Sequence, residues 1–328
     1  MENGESIVLK PNVRLHLSLI GMNRGGYRIN GGAGFAIQYP TLEVVGKVSD
    51  EFRVTDQRRY PINDDESKRL KDILTSVTEH LGLSNPVHLF VRGTAPTHMG
   101  FGTGTAIRLA AIEILYLLNN HKGNRLEIVQ SSGRGRTSGI GVNTYFEGGL
   151  VVDIGHLSPD DNHLPSSQVE SIERQALLLR QVPMPEWQIG ILIPSNIVPK
   201  TEIEEKEFFI STCPIPSEQT YITLYHVIYG LLASVLELDF STFCMSIRHL
   251  QECYWKSAEW NLYGKEIKVL RDQLYLNGAS AVGMSSLGPS LYFFSNNINE
   301  VVSKLRGNIE GDIFVTSFSN SGRDCFSA

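Results

Sequence analysis

The sequence predicts an α+β fold, and three observations carry that reading. Strand-like alternation and helix-like periodicity are interleaved along the chain. Two glycine- and hydroxyl-rich loops each run into a helix-compatible segment. After residue 217 long helices are followed by a return to short strands, an arrangement that stacks helices on one face of a sheet. At 328 residues the chain can hold two domains or one large one around a sizeable core. A polar, proline-containing change of composition at Ser158–Ser167 marks a boundary, giving domains over residues 1–167 and 168–328.

Taken in order, Ile7–Leu9 and Arg14–Ile20 read as strands, the second from apolar alternation at Val13, Leu15, Leu17 and Leu19. Ala33–Gln38 and Leu42–Gly46 follow, punctuated by Gly25-Gly26 and Gly31-Gly32. Asp64-Asp65-Glu66 can start a helix to about Leu81, with Leu70, Ile73, Leu74 and Val77 on one face. Val87–Arg92 is a buried strand, Ala106–Leu118 an apolar helix and Gly149–Ile154 another strand. Beyond the boundary come a strand Gln188–Ile193 and helices Glu218–Leu236, Phe240–Glu259 and Lys265–Leu276. A glycine-serine loop at Gly278–Pro289, a strand Ser290–Phe294, a helix Ile298–Arg306 and a strand Asp312–Ser317 complete the reading. Tyr221, Tyr225 and Tyr229 recur at helical spacing and are expected to pack between helices; Trp187, Trp255 and Trp260 are expected in the core.

A formal net charge of -6 and a pI near 5.9 argue against nucleic-acid and membrane-surface partners. The arginines are therefore local tools rather than parts of a basic patch. Cys213, Cys244, Cys253 and Cys325 show neither CxxC nor zinc-ligand spacing, which suits a reduced compartment. The beginning of the chain lacks the basic and apolar regions of a leader, and no segment approaches the roughly 18 apolar residues of a membrane span. A cytoplasmic protein is expected.

The run Gly133-Arg134-Gly135-Arg136-Thr137-Ser138-Gly139-Ile140-Gly141 packs four glycines, two guanidinium groups and two hydroxyls into nine residues. Glycine lets backbone N–H groups turn toward a ligand, and arginine and hydroxyl groups add charge and donors. The second loop is Gly100-Phe101-Gly102-Thr103-Gly104-Thr105. Either loop alone is weak evidence, since a flexible connector is the commoner explanation of one such loop; together they point to a ligand rich in phosphate.

The segment from Pro96 to Thr105 resembles the phosphate loop of the GHMP kinase superfamily, and Gly278–Pro289 its third glycine motif. Kinases of that superfamily follow the Ser-Gly pair with Ile or Val and then an Asp that serves the acceptor hydroxyl. Here Gly141 occupies that place, so phosphoryl transfer would lack its expected base. Across nearly its whole length the chain is instead similar to the β-ribofuranosylaminobenzene 5′-phosphate synthase family, and to the related C-nucleoside synthases. The carrying pieces are Arg14-Leu-His16, Tyr27–Gly34, His98–Thr105, Gly133–Gly141, Gly148–His156 and Gly283–Pro289.

That resemblance implies a GHMP kinase-like two-domain fold, with an N-terminal α/β domain carrying the glycine-rich phosphate loop and a ferredoxin-like C-terminal α+β domain. It implies a phosphoribosyl group passing from phosphoribosyl diphosphate to the ring carbon of an aromatic or heteroaromatic carboxylate of the 4-aminobenzoate or 4-hydroxybenzoate type. Diphosphate and carbon dioxide leave, with Mg2+ as cofactor, a homodimer as the assembly and methanopterin biosynthesis as one setting. The alternatives are a small-molecule GHMP-type kinase using ATP, with a displaced base, and a non-catalytic sensor of phosphoribosyl diphosphate.

For the donor, the resemblance points to Gly100, Gly102, Thr103, Gly104, Thr105, Gly133, Arg134, Gly135, Arg136, Thr137, Ser138 and Gly139, with Ser285 and Ser286 lining the site. Arg14, His16, Arg28, His98 and Asp153 are the catalytic candidates, with Arg14 and His16 on one side of a strand by its period of two. Each has an ordinary alternative: an exposed strand face for Arg14 and His16, a surface arginine for Arg28, a turn cap for His98. Asp153 and Glu113 are the metal candidates, with a structural hydrogen bond the other reading of Asp153. Gly21, Asn30, Met284 and Leu287 depart from the family's pattern, which has Asp, Asp, Gln and Trp there, so the donor loops look retained and the acceptor pocket reshaped.

Overall fold

The computed structural model describes residues 6–134, 139–157, 163, 165 and 175–327. In chain order the strands are β1 (Ser6–Lys10), β2 (Val13–Ile20), β3 (Gly31–Ile37), β4 (Leu42–Val48), β5 (Arg53–Asp56), β6 (Val87–Gly93), β7 (Leu150–Asp153), β8 (Leu178–Val182), β9 (Gln188–Pro194), β10 (Ala281–Met284), β11 (Leu291–Phe294), β12 (Gly311–Ser317) and β13 (Asp324–Ser327). The helices are α1 (Asp64–Leu81), α2 (Thr103–Leu118), α3 (Arg125–Ser131), α4 (Gly139–Phe146), α5 (Glu202–Thr212), α6 (Ser217–Tyr225), α7 (Ala233–Glu237), α8 (Phe240–Glu252), α9 (Tyr254–Leu276) and α10 (Ile298–Leu305). A π-helical stretch, His226–Leu232, joins α6 to α7 without a break.

Three sheets organise these elements. One runs β13-β1-β4-β6-β5, a second β2-β3-β7-β8 and a third β10-β11-β9-β12. The expected α+β class is therefore what the chain adopts. β8 hydrogen-bonds to β7, and β13 to β1, so chain segments beyond residue 174 complete both sheets of the first half. The boundary expected at Ser158–Ser167 falls almost wholly outside the described residues. α2 is apolar nearly all round and lies buried between these layers, as such a helix must. Phe35 of β3 meets Phe318 edge-on at 4.9 Å, joining the second sheet to the segment that follows β12.

Local rules explain most boundaries. Asn63 caps α1 in a reciprocal box with Glu66, and Gly82 ends it in the left-handed conformation that glycine adopts without strain. Thr201 and Glu204 form the same box at α5. α9 is interrupted at Gly264 (φ 74°, ψ -144°), where the expected helices Phe240–Glu259 and Lys265–Leu276 were separated.

Two expectations are corrected. Tyr221, Tyr225 and Tyr229 do not pack between helices: they are 63%, 59% and 71% exposed. The inner face of that long helix is made instead by Thr220, Thr223, Val227 and Leu231. Helical spacing locates a stripe but not the side on which the core lies. The Gly278–Pro289 segment is also not all loop, because Ala281–Met284 pairs with β11. Gly283 suits that strand by leaving room for the Tyr292 ring opposite it. Trp255 and Trp260 are buried as expected.

Candidate active site

Two adjoining cavities lie where β2, β3, the N-terminal ends of α2 and α4, α5 and the loop after β10 meet. One is polar and lined by the Gly100–Thr105 loop, Thr97, His98, Arg134, Lys200 and the carboxylates Glu66, Glu202 and Glu205. The other has apolar walls from Leu19, Ile140, Phe209, Trp255 and Leu287, with His16, Asn30, Asp153 and Glu259 among them. Arg14, Thr105, Glu205, Ser286 and Leu287 line both, which marks the junction.

The polar cavity is built for an anion. Gly102 (φ 68°) turns the chain into α2, whose first N–H groups have no partner within the helix and carry the positive end of its dipole. A Cβ at Gly102 would sit 2.8 Å from the Arg14 guanidinium, so glycine there lets arginine and loop share the space. Arg14 Nη1 donates to Gly100 O at 2.8 Å. Burial pushes the Arg14 guanidinium down to about 10, with Glu205 opposing, and so leaves it charged at neutral pH. Arg134 is pushed down to about 9 by burial and by Arg108. A phosphate entering here relieves both the desolvation and the crowding of like charge.

His98, at φ 60°, pairs with Glu66 at 3.1 Å. The Glu66 hydrogen bond and charge raise the imidazole's pKa against its burial. Burial pushes the Glu66 carboxyl up, but the His98 hydrogen bond and charge carry it below its usual value. His98 and Glu66 therefore stand as a pair at the mouth of the cavity.

Ser285 fastens three segments together. Its Oγ donates to Gly100 O at 2.7 Å and accepts from His16 N at 3.0 Å. Ser286 N donates to His16 O at 3.1 Å, and Ser286 itself lines both cavities. The third glycine motif thus holds the phosphate loop against β2, and Ser285 acts as a clamp rather than as a wall.

β2 faces the second cavity through Arg14 and His16, then through Leu19, because a register shift between His16 and Ser18 re-aims the strand. His16 is held well below its usual pKa, first by burial and then by Arg14 and Lys256, so it is neutral at pH 7. Asp153 ends β7 opposite Gly32 and accepts from Gly155 N at 2.9 Å. Burial pushes its carboxyl up to about 7, against the backbone N–H groups of Gly155 and Gly32 and the charge of Arg28. Gly139 opens α4 against that carboxylate, where any Cβ would crowd it. Beneath the cavity, Glu259 accepts from Trp255 Nε1 at 2.6 Å and pairs with the wholly buried Lys256, which also donates to Met284 O at 2.6 Å.

The other sequence candidates fall differently. Arg28 lines neither cavity; it donates to Gly155 O at 2.8 Å and ties down the turn after β7. Glu113 is turned away: both its oxygens are taken by Arg323, one of them also by Tyr145 Oη at 2.6 Å. Gly133 (φ 68°) ends the turn before Arg134 but lines neither cavity. Gly135, Arg136, Thr137 and Ser138 lie outside the described residues. Of the departures from the family pattern, Asn30 and Leu287 face the apolar cavity, whereas Gly21 and Met284 do not line it. Lys200, Glu202, Glu205 and Phe209 were not singled out from sequence; the Thr201-x-x-Glu204 capping signature was the one local sign of the helix that brings them in.

No protein-family model matches the chain. It is 32% identical over 295 residues to the β-ribofuranosylphenol 5′-phosphate synthase of Archaeoglobus fulgidus, covering 88% of each chain. It is 29% identical over 324 residues to the protein of that name from Methanothermobacter thermautotrophicus, covering 97% of this chain and 98% of the relative. Among solved structures it resembles homoserine kinase from Cytophaga hutchinsonii (TM-score 0.66, 18% identity, 99% of this chain and 98% of that one). It also resembles mevalonate diphosphate decarboxylase from Staphylococcus aureus (TM-score 0.68, 10% identity, 98% of each). These structural likenesses show the fold, which is that of the GHMP kinases.

Proposed function

The chain belongs to the β-ribofuranosylphenol 5′-phosphate synthase family, and on that premise we propose that it makes a C-glycosidic bond. The phosphoribosyl group of phosphoribosyl diphosphate passes to the ring carbon of an aryl carboxylate, with loss of diphosphate and carbon dioxide. The observation that carries this reading is the pair of joined cavities, one polar and holding the buried guanidinium groups of Arg14 and Arg134, the other partly walled by Phe209, Trp255 and Leu287, meeting at Arg14.

The bond accounting requires no net proton transfer. The C1–O bond to diphosphate breaks with its electron pair on oxygen, and a ring π pair forms the new bond from C1 to the ring carbon. The bond from that carbon to the carboxylate then returns its pair to the ring. Arg14, Arg134, the α2 N–H groups and Thr103 and Thr105 stabilise the departing anion. Positive charge moves from the ribose to the ring, and ionised Asp153 favours it there. The walls formed by Phe209, Trp255 and Leu287 exclude water, which would otherwise capture the ribosyl cation.

Magnesium fits this site as a diphosphate-bound ion. No three potential metal ligands cluster among the described residues, but Mg2+ commonly takes one or two carboxylates with phosphate and water as the rest. Glu205, at the junction, is placed to be such a carboxylate, and the ion would supply further charge neutralisation for the leaving group.

Incubation with phosphoribosyl diphosphate, magnesium and a panel of hydroxy- and amino-aryl carboxylates is expected to release diphosphate and carbon dioxide in equal amounts. ATP consumption instead, or turnover of an acceptor without carbon dioxide, would overturn the reading.

Asp153 adds a pH dependence. If the ionised carboxylate favours the cationic ring, kcat/KM should rise with pH through about 7. Asp153→Asn should remove that inflection and lower kcat/KM about tenfold or more. The stability effect has the opposite sign. The folded carboxyl titrates near 7 and the unfolded one near 3.8, so wild type loses stability as pH rises across that window. The variant should lose less, which urea unfolding at pH 5 and pH 8 will show.

A further inference from the structure

Asn30 takes no part in the chemistry described so far, yet its side chain is the least satisfied in the apolar cavity. It is 5% exposed, and its Oδ1 is buried with no hydrogen-bond partner among the described residues. A buried carbonyl oxygen left without a donor is a standing cost that a ligand can relieve.

The orientation of the amide follows from its neighbour. His156 Nδ1 lies 3.0 Å from Leu157 O, and because a carbonyl only accepts, that nitrogen carries the ring proton. Asn30 Nδ2 faces the other ring nitrogen, Nε2, at 3.4 Å. The amide nitrogen is thereby turned to the imidazole, and Oδ1 of this cavity-lining residue is left without a donor. The backbone makes this arrangement rigid: Ile29 and His156 exchange both main-chain hydrogen bonds, at 2.9 and 3.0 Å. Asn30 sits at φ 58°, a conformation asparagine tolerates better than most residues.

The position of Asn30 selects which edge of a substrate it meets. It precedes Gly31 and Gly32, which pair with Ile20 and Leu19, whereas Arg14 lies at the opposite end of β2. Across the register shift, Arg14 and Leu19 pair with Ala36 and Gly32, so the two ends lie four residues of partner strand, roughly 13 Å, apart. The junction with the donor cavity is at the Arg14 end. This inference rests on the reaction proposed above, in which the ring carbon that bonds to ribose is the one bearing the carboxylate. That carbon and its carboxylate must lie at the junction, so the opposite edge of the ring points toward Asn30.

We infer that Asn30 is a specificity-determining residue, whose Oδ1 receives an N–H or O–H group on the acceptor ring opposite its carboxylate. The contact strengthens during reaction, because such a group becomes more acidic as the ring takes positive charge.

The test compares dissociation constants of 4-aminobenzoate and 4-hydroxybenzoate with that of 4-methylbenzoate, by calorimetry with inorganic diphosphate present. The methyl compound has a similar shape and no donor. Wild type should prefer at least one of the donor-bearing rings by about tenfold or more, and Asn30→Gly should reduce that ratio to about two or less. Glycine suits the positive φ, and Asn30→Asp, which keeps an acceptor oxygen, should retain the preference. A folded Asn30→Gly variant with the full wild-type preference overturns the inference. So does wild type that binds all three arenes equally, a result that needs no variant and leaves the proposed reaction standing. Failure of wild type to bind any of the three overturns both.

Discussion

Arg14→Ala is expected to lower kcat by about 10²–10³-fold while the protein stays folded, the scale of removing one preorganised donor from a developing anion. The argument is positional. Arg14 lines both cavities, so in the proposed reaction its guanidinium would be close to the leaving diphosphate and to the carboxylate that is lost. Burial has already stripped it of water, and its Nη1 bond to Gly100 O fixes the phosphate loop. Removing it therefore deletes a charge that acts in the transition state and loosens the loop presenting the α2 N–H groups. Arg134 provides the contrast, since it lines the donor cavity alone. Arg134→Ala should raise the KM for phosphoribosyl diphosphate by roughly tenfold or more, for a charge-assisted contact of about 1.5–3 kcal/mol, with the acceptor KM nearly unchanged. Steady-state kinetics with each substrate varied in turn separates the two outcomes. Equal effects of both variants on donor and acceptor would refute the assignment of separate cavities.

The parts of this site that were legible in the sequence are those whose chemistry is local. The Gly100–Thr105 turn, the Gly133-Arg134 turn and the Gly283–Pro289 motif each announce themselves by composition, and the structure brings parts of all three to one place. α1 was readable because its capping box and apolar stripe lie within one short window. The apolar cavity was not readable in the same way. Trp255 reads as a core residue and Phe209 carries no local sign, and both are core residues; only long-range packing of α5 on α9 makes them walls as well. Glu205 gave no local signal, because an acidic residue beside a basic phosphate loop is meaningful only after the fold has placed it there. β5, β8 and β13 are short and complete sheets through distant partners, so no periodicity within them discloses their state. Glu113 shows the converse. It sits on the right helix for a metal ligand, but α2 turns it toward Arg323 and Tyr145 on the side away from the cavities.

The clamp between the first and third glycine motifs should be the most fragile point of the site. At Gly288 an added Cβ would fall on the backbone N and Cα of Gly100 and the carbonyl carbon of Met99. Backbone cannot rotate away as a flexible side chain can, so Gly288→Ala must push the phosphate loop off the Ser285 segment. Overpacking of this kind costs about 1–3 kcal/mol. The functional loss should be larger in proportion, because a displacement of about 1 Å of a positioned group can cost about 10²-fold in rate. Gly104 serves as the control within the same loop. A Cβ there meets nothing nearer than Arg134 Nη2 at 3.8 Å, and the residue is inside α2, where alanine is the better helix former by roughly 0.5–1 kcal/mol. Gly104→Ala should therefore keep or raise stability, and any loss of activity should appear as weaker donor binding, since Gly104 lines the donor cavity. Thermal unfolding and kcat measured on both variants decide the matter. Gly288→Ala that is as stable and as active as wild type would show that the two motifs are not held against each other as described.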